Sequence, residues 1–114
     1  MIDRTAEALE LKEYGKRLAA VPDGESTLYL LEGIELPDGC SPSVSDALLC
    51  PAARDGYPSR LYFPEVVGCR FPRNWNFDGV IAGKRWRSFS WKVEPAGLTL
   101  TQILLGHLEA FTRC

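Results

Sequence analysis

The stretch LTLTQILLGHLEAF, residues 98 to 111, carries the clearest structural signal in this chain. Thr99 predicts a helix N-cap, and Gln102, three residues later, completes a capping box. Leu98 and Ile103 occupy the hydrophobic-staple positions on either side of that box. We therefore predict a C-terminal helix that packs through one face on the rest of the domain. That face is formed by Leu100, Ile103, Leu104, His107, Leu108 and Phe111.

Short apolar segments with strand-forming side chains precede this helix. STLYLLEGIEL (26–36), SDALLCP (45–51) and RLYFPE (60–65) each predict a strand. Turn residues separate them: Pro37-Asp38-Gly39 follows the first, and Asp55-Gly56-Tyr57-Pro58 precedes the third.

The next segment, VIAGKRWRSFSWKV (80–93), predicts one or two further strands. On strand alternation, its side chains divide between two faces. Arg85, Arg87, Phe89 and Trp91 share one face, and Trp86, Ser88 and Ser90 share the other. Residues 65 to 79, which are dense in Pro, Asn and Gly, predict a loop before it.

The N-terminal part, residues 4 to 21, predicts a helix because apolar residues recur at spacings of three and four. That stripe consists of Leu11, Tyr14, Leu18 and Val21, and Pro22-Asp23-Gly24 would end the helix. The order helix, three or four strands, helix predicts an α+β domain. In this arrangement an antiparallel meander is covered by helices.

Length and composition set broad limits on function. A chain of 114 residues, 46% hydrophobic and 25% charged, is typical of a single globular domain. The formal net charge of −2 excludes a global basic field that would attract nucleic acid. The charged N-terminus has no signal-peptide core and no apolar run has the length of a membrane span, so we expect a cytoplasmic protein without a membrane partner.

The cysteine and histidine content argues against a metal cofactor. The four cysteines, Cys40, Cys50, Cys69 and Cys114, form no C-x-x-C pair, and His107 is the single histidine. A structural zinc site is therefore not predicted, and neither is any other cofactor. In the cytoplasm these cysteines would be reduced thiols. We expect Cys50 to be buried and inert, and His107 to be a packing residue of the C-terminal helix.

The run GKRWRSFSWKVEP, residues 83 to 95, combines four basic residues with two tryptophans. Stacking plus positive charge is how single-stranded nucleic acid is held, so a small nucleic-acid-binding domain is one interpretation. A strand that faces a protein partner is the other, and the net charge of −2 favours it. The predicted partner-binding residues are Lys84, Arg85, Trp86, Arg87, Trp91 and Lys92.

Three stretches, in their order along the chain, carry a family resemblance: CPAARDGYPSRLYF (50–63), FPRNWN (71–76) and EPAGLTLTQILLGHL (94–108). They resemble the strand and Tyr-Pro turn, the Asn-containing loop, and the Pro-Ala-Leu-Thr stretch with its helix in the ubiquitin-conjugating enzyme fold. Tyr57-Pro58 and WRSFS (86–90) resemble more closely the small bacterial branch of that superfamily. That branch has a Tyr-Pro turn and a Trp-x-x-Trp-Ser motif.

The resemblance implies a place in a bacterial ubiquitin-like conjugation pathway, with a role in antiviral defence. Its implied partners are a ubiquitin-like protein and an activating enzyme. The family nucleophile is a cysteine, but the matching positions here, Gly83 to Trp86, contain none. Two roles stay open: a transferase that carries the modifier as a thioester, and a non-catalytic variant that binds the modifier or the activating enzyme.

A transferase would need another cysteine and an oxyanion donor. Cys69 is the first candidate, because Arg70 and Arg73 nearby would favour a thiolate. Cys114, the last residue of the chain, is the second. The side-chain amide of Asn74 or Asn76 is the candidate donor to the oxyanion.

Overall fold

The computed structural model describes residues 4 to 112. Within them, one helix precedes six strands and one helix follows, so the prediction of an α+β domain is confirmed. The helices are α1 (Thr5–Leu11) and α2 (Leu100–Leu108), and the 3-10 turns Lys12–Tyr14 and Glu109–Phe111 extend them. The strands are β1 (Arg17–Asp23), β2 (Ser26–Glu35), β3 (Val44–Cys50), β4 (Arg60–Tyr62), β5 (Trp75–Ile81) and β6 (Lys84–Phe89).

The strands form an antiparallel meander and a separate hairpin. β1, β2, β3 and β4 lie side by side in chain order, and β5 pairs with β6. One bridge joins the two sheets: Phe63 and Arg87 exchange backbone hydrogen bonds of 2.7 Å in both directions. The hairpin is therefore fixed beside the end of β4.

The sheet has a core on each face. The larger core lies under the helices, where Leu31, Leu49, Leu61 and Phe63 pack against α2 and the 3-10 turn that follows it. The smaller core lies on the opposite face and is covered by the β5–β6 hairpin. Its buried residues are Leu28, Leu48, Cys50, Tyr62, Ile81 and Trp86.

The predicted start of the C-terminal helix is confirmed. The Thr99 hydroxyl accepts a hydrogen bond from the Gln102 N–H at 3.2 Å, and the Gln102 side chain accepts one from the Thr99 N–H at 2.9 Å. The Glu7 carboxylate on α1 also accepts from the Leu100 N–H at 2.9 Å. The N–H groups of Thr99, Leu100 and Gln102 are thereby satisfied, and the bond from Glu7 joins the start of α2 to α1. The predicted apolar face, including Phe111 in the 3-10 turn, is buried.

The predicted N-terminal helix was wrong beyond residue 14. Gly15 is extended (φ −138°, ψ 168°), and Lys16 donates a backbone hydrogen bond of 2.7 Å to Glu32. A Cβ at Gly15 would lie 3.0 Å from the Glu32 carbonyl oxygen, so glycine lets β1 approach β2 closely. Leu18 and Val21 therefore lie on an edge strand, where Pro22 is tolerated. In place of the predicted stop, Pro22 and Asp23 end β1, and Gly24 begins the turn to β2.

The predicted loop 65–79 was also wrong in its last third, because β5 begins at Trp75. Residues 80 to 89 form the end of β5, the turn Ala82-Gly83 and β6, and residues 90 to 93 lie beyond the strand. Both turn residues have positive φ, at 50° and 81°, which suits the tight connection of two twisted strands. The predicted strand 60–65 is shorter than expected and ends at Tyr62.

The predicted strands 26–36 and 45–51 are confirmed as β2 and β3. The predicted turns around them are present as well. The Cys40 N–H donates to the Pro37 carbonyl at 3.2 Å, and Asp55 and Gly56 both have positive φ. Within residues 4 to 112, no helix has the length and apolar character needed to cross a membrane.

Candidate functional site

Five polar side chains converge on the sheet face opposite the helices, and we call them the Arg60 cluster. Its members are Tyr57, Arg60, Asn76, Ser88 and Ser90. They come from the turn before β4 and from β4, β5, β6 and the residue after β6. Hydrogen bonds or a cation–π contact connect each member to another.

Arg60 is the buried centre of the cluster, with an exposed fraction of 2%. On β4 it alternates with Leu61 and shares a face with Tyr62, so its side chain is directed into the smaller core. Its Nε donates to Ser88 Oγ at 3.2 Å, and its Nη2 donates to Asn76 Oδ1 at 2.5 Å. Burial of a guanidinium requires such partners, because an unpaired charge in the core costs several kcal/mol.

Tyr57 covers the guanidinium from the solvent side. Its ring centroid lies 4.2 Å from the Arg60 Cζ, within cation–π range. Its hydroxyl lies 2.7 Å from Ser90 Oγ and accepts a hydrogen bond from the Asn76 amide at 2.7 Å. The pKa of Tyr57 lies below its ordinary value, first because of the bond with Ser90, then because of the bond with Asn76 and the charges of Arg60 and Lys92.

Asp55 partly neutralises the cluster at its edge. Its carboxylate lies 3.7 Å from Arg60 Nη1 and accepts a hydrogen bond of 2.6 Å from the Tyr62 hydroxyl. Burial, followed by the bond and charge of Asp55, raises the pKa of Tyr62 above its ordinary value. Tyr62 therefore stays a neutral donor, and Tyr57 is the more acidic of these two phenols.

The arrangement is suited to recognition. A fixed guanidinium lies beneath a phenol, an amide and a hydroxyl at the surface, and these groups hold one another in place before any partner arrives. The one histidine lies in the core with an exposed fraction of 2%, as predicted, and is hydrogen bonded to buried Ser59. Within residues 4 to 112, no group of three His, Cys, Asp or Glu side chains is placed to hold a metal ion.

The predicted cysteines lie apart from this cluster. Cys69 is half-buried at the edge of the larger core, and its thiol donates to the Phe71 carbonyl at 2.8 Å. The Arg73 Nε donates to the same carbonyl at 3.2 Å. Cys50 is buried, with 1% exposed, as predicted. Cys114 lies outside the described residues.

The two predicted asparagines have different surroundings. Asn76 belongs to the Arg60 cluster, and Cys69 is not among its hydrogen-bond partners within residues 4 to 112. Asn74 is exposed, and its carbonyl accepts a backbone hydrogen bond of 2.8 Å from Ser90. Neither contact places an asparagine amide at the Cys69 thiol.

The basic side chains of β6 are partly neutralised by one carboxylate. Arg85 binds Asp78 across the hairpin with two hydrogen bonds of 2.6 and 2.7 Å, and Arg87 lies 3.8 Å from the same carboxylate. The hydrogen bonds from Arg85, followed by the charges of Arg85 and Arg87, hold the pKa of Asp78 below its ordinary value. The Lys84 ammonium lies 5.1 Å from the centre of the Trp86 ring.

The two tryptophans of the run do not form one exposed surface. Trp86, one of the predicted partner-binding residues, has an exposed fraction of 2%, and its ring packs in the smaller core. Trp91 is half-buried, and its Nε1–H donates to the Gly106 carbonyl of α2 at 3.0 Å. Arg73 lies 5.1 Å over the Trp91 ring, and Lys92 is exposed.

Sequence reasoning missed Arg60, Ser88 and Ser90 as site residues and used Tyr57 as a turn residue alone. One signal was available: Arg60 opens an otherwise apolar segment, Leu61-Tyr62-Phe63. A charged residue at an inward strand position needs partners. Those partners come from β5 and β6, and no local pattern identifies them. No protein-family model, no curated protein and no solved structure matches this chain.

Proposed function

We propose that this chain is a ubiquitin-conjugating-enzyme-like domain that binds a ubiquitin-like modifier, or accepts it from an activating enzyme, in a cytoplasmic bacterial conjugation pathway. One observation carries the proposal: residues from the motifs behind the resemblance converge in the Arg60 cluster. Tyr57 comes from the Tyr-Pro turn, Asn76 from the Asn-containing stretch, and Ser90 from the end of WRSFS. The phenol of Tyr57 contacts the other two.

This convergence supports the resemblance because the residues are distant in sequence. Asn76 lies 19 positions from Tyr57, and Ser90 lies 33 positions from it. Contacts at such separations follow from the strand arrangement, since local propensity does not create them. The helix, meander and C-terminal helix also follow the order that the resemblance implies.

Binding is the role that the site geometry favours. The positions that match the family nucleophile, Gly83 to Trp86, lie at the turn after β5 and the start of β6 and contain no cysteine. The Asn76 amide donates to the Tyr57 hydroxyl at 2.7 Å and to Ser90 Oγ at 3.4 Å, so serving as an oxyanion donor would require giving up one of these two bonds. We infer that the Arg60 cluster holds polar groups of the bound modifier or activating enzyme.

Thioester transfer is the second candidate, and the partial exposure of Cys69 favours it. Cys50 is buried, whereas Cys69 is half-buried and reachable from solvent. In this reaction the Cys69 sulfur attacks the carbonyl carbon of the modifier's thioester with the activating enzyme. A new sulfur–carbon bond forms, the old one breaks, and the enzyme's thiolate leaves.

The binding role is tested by titrating the isotope-labelled chain with a bacterial ubiquitin-like protein and recording amide shifts by NMR. We expect shifts at the Arg60 cluster, and binding weaker by up to about tenfold for Tyr57→Phe, since one neutral hydrogen bond contributes on the order of 0.5–1.5 kcal/mol. Tyr14→Phe, in the 3-10 turn after α1, is the matched control and should bind as wild type. Shifts confined to other surfaces would contradict the proposal.

The transfer role is tested on a non-reducing gel after incubation with activating enzyme, modifier and ATP. An adduct that thiol reductants remove, and that Cys69→Ser abolishes, would establish Cys69 as the acceptor. An adduct that persists in Cys69→Ser would rule that residue out. If all four cysteines are intact and no adduct forms while the modifier still binds, the domain is the non-catalytic variant.

A further inference from the structure

Cys40 and Cys69 lie opposite each other across a short antiparallel pairing. Ser41 and Gly68 form the pair next to them, and they exchange backbone hydrogen bonds of 2.8 and 2.9 Å. In an antiparallel ladder, the residue before one member of such a pair faces the residue after the other. Cys40 precedes Ser41 and Cys69 follows Gly68, so the cysteines occupy the next, non-hydrogen-bonded position.

That position has the spacing that a disulfide needs. Opposed residues at non-hydrogen-bonded positions have Cα atoms about 4.5 Å apart, with side chains on the same side of the ribbon. Disulfides span Cα separations of about 4.4–6.8 Å. Both cysteines also pack against the same larger core, which independently places their side chains on one side.

The two thiols influence each other and are reachable. Burial, and then the neighbouring Cys69 sulfur, raises the pKa of Cys40 above its ordinary value. Both residues are half-buried, in contrast to Cys50. On turning toward Cys40, the Cys69 sulfur would give up its hydrogen bond of 2.8 Å to the Phe71 carbonyl.

We propose that Cys40 and Cys69 are a redox modification site that a hydroperoxide converts into an intramolecular disulfide. One cysteine sulfur attacks a peroxide oxygen, which forms a sulfenic acid and releases water or an alcohol. The second sulfur then displaces the sulfenic oxygen as water, and the S–S bond forms. Two thiols are oxidised, the peroxide is reduced, and a thiol reductant reverses the product.

The disulfide would connect two segments that one bridge now holds together. One is the connection from β2 to β3, and the other is the irregular segment between β4 and β5. The proposal does not depend on the proposed function. If Cys69 also accepts a modifier, the disulfide withdraws that thiol and oxidation blocks transfer.

The test treats the purified full chain with hydrogen peroxide, followed by intact mass measurement and peptide mapping without reductant. We expect a loss of about 2 Da, which corresponds to two hydrogens, and complete reversal by dithiothreitol. Trypsin alone leaves Cys40 and Cys50 on one peptide, so an Asp-specific protease that cleaves at Asp46 is added. The linked species should then join the Cys40 peptide to the peptide Leu61–Arg70.

Single substitutions provide the controls. Cys40→Ser and Cys69→Ser should each abolish the crosslink, while Cys50→Ser and Cys114→Ser should retain it. Mapping of the wild-type crosslink decides the pairing even if one serine variant fails to fold. A crosslink through Cys50 or Cys114 would overturn the proposal. Oxidation that only adds oxygen atoms would overturn it too. The same holds if the protein is folded and the Cys40 and Cys69 thiols both stay free after peroxide treatment.

Discussion

The Ser59 hydroxyl lies 2.9 Å from Nε2 of His107, in the core where the start of β4 meets α2. The same hydroxyl donates to the Val93 carbonyl at 2.6 Å, so its proton is already used. It can then only accept from the histidine, which fixes the neutral tautomer with hydrogen on Nε2. Burial, followed by the charge of Arg60, lowers the pKa of His107 to about 4.

This lowered pKa predicts a loss of stability in mild acid. Between about pH 6.5 and pH 4 the unfolded chain protonates His107 and the folded chain does not. The unfolded state thus binds more protons, and the free energy of unfolding falls as the pH falls. The full effect is on the order of 3 kcal/mol and is absent above pH 7. Urea unfolding at several pH values measures it.

The control for this prediction is His107→Gln, which retains a donor but has no titrating group. Carboxylates also titrate in this range, so the relevant quantity is the difference in the free energy of unfolding between wild type and variant at each pH. As the pH falls from 6.5 to 4, the free energy of unfolding should decrease more for wild type than for His107→Gln. A difference that is constant with pH would show that the histidine is protonated equally in both states.

A second prediction concerns two adjacent leucines of α2. Leu104 is fully buried in the larger core, whereas Leu105 is 42% exposed. Leu104→Ala should lower the free energy of unfolding by about 2–5 kcal/mol, because it removes buried methyl groups and leaves a cavity. Leu105→Ala, the matched control, should change it by less than about 1 kcal/mol. Equal effects in urea unfolding would mean that the buried face is assigned incorrectly.

The C-terminal helix could be predicted because its signals are local. The capping box needs only Thr99 and Gln102, and the apolar face repeats within the helix itself. The turns at Pro37–Gly39 and Asp55–Gly56 are local in the same way, since positive φ at the latter suits Asp and Gly. Such features depend on a few neighbouring residues and not on the rest of the fold.

The missed features depend on distant partners. Leu18 and Val21 have helical spacing, yet seven residues of β1 pair with β2, and this tertiary pairing outweighs the local pattern. In β5, Asp78 and Gly79 are poor strand formers whose places are fixed by pairing with β6, and Asn76 lies at a register shift of the same hairpin. The Arg60 cluster requires the same hairpin to fold over the meander, so it could not be assembled from the sequence.

A third prediction concerns nucleic acid. Arg85 and Arg87 share Asp78, and the chain carries a net charge of −2. We therefore expect no sub-micromolar binding of single-stranded DNA or RNA at physiological salt. Fluorescence anisotropy with labelled oligonucleotides checks this. A tight, salt-dependent complex that is lost in the double variant Arg85→Ala/Arg87→Ala, but kept in the exposed β1 control Arg17→Ala, would overturn it.

The last prediction concerns the acidity of the Tyr57 phenol. The hydrogen bond with Ser90 is the main cause of its lowered pKa, and the bond with Asn76 is the second. Ser90→Ala should raise the Tyr57 pKa toward the ordinary value of about 10, since the tyrosinate loses its strongest donor. NMR titration of the tyrosine Cζ signals resolves each residue. In wild type Tyr57 should deprotonate before Tyr62, whose pKa is raised by burial and by Asp55.

Ser43→Ala, at an exposed serine between β2 and β3, is the control and should leave the Tyr57 pKa unchanged. A Tyr57 pKa that is the same in wild type and Ser90→Ala would show that the two hydroxyls do not interact in solution, and it would remove the central contact of the Arg60 cluster.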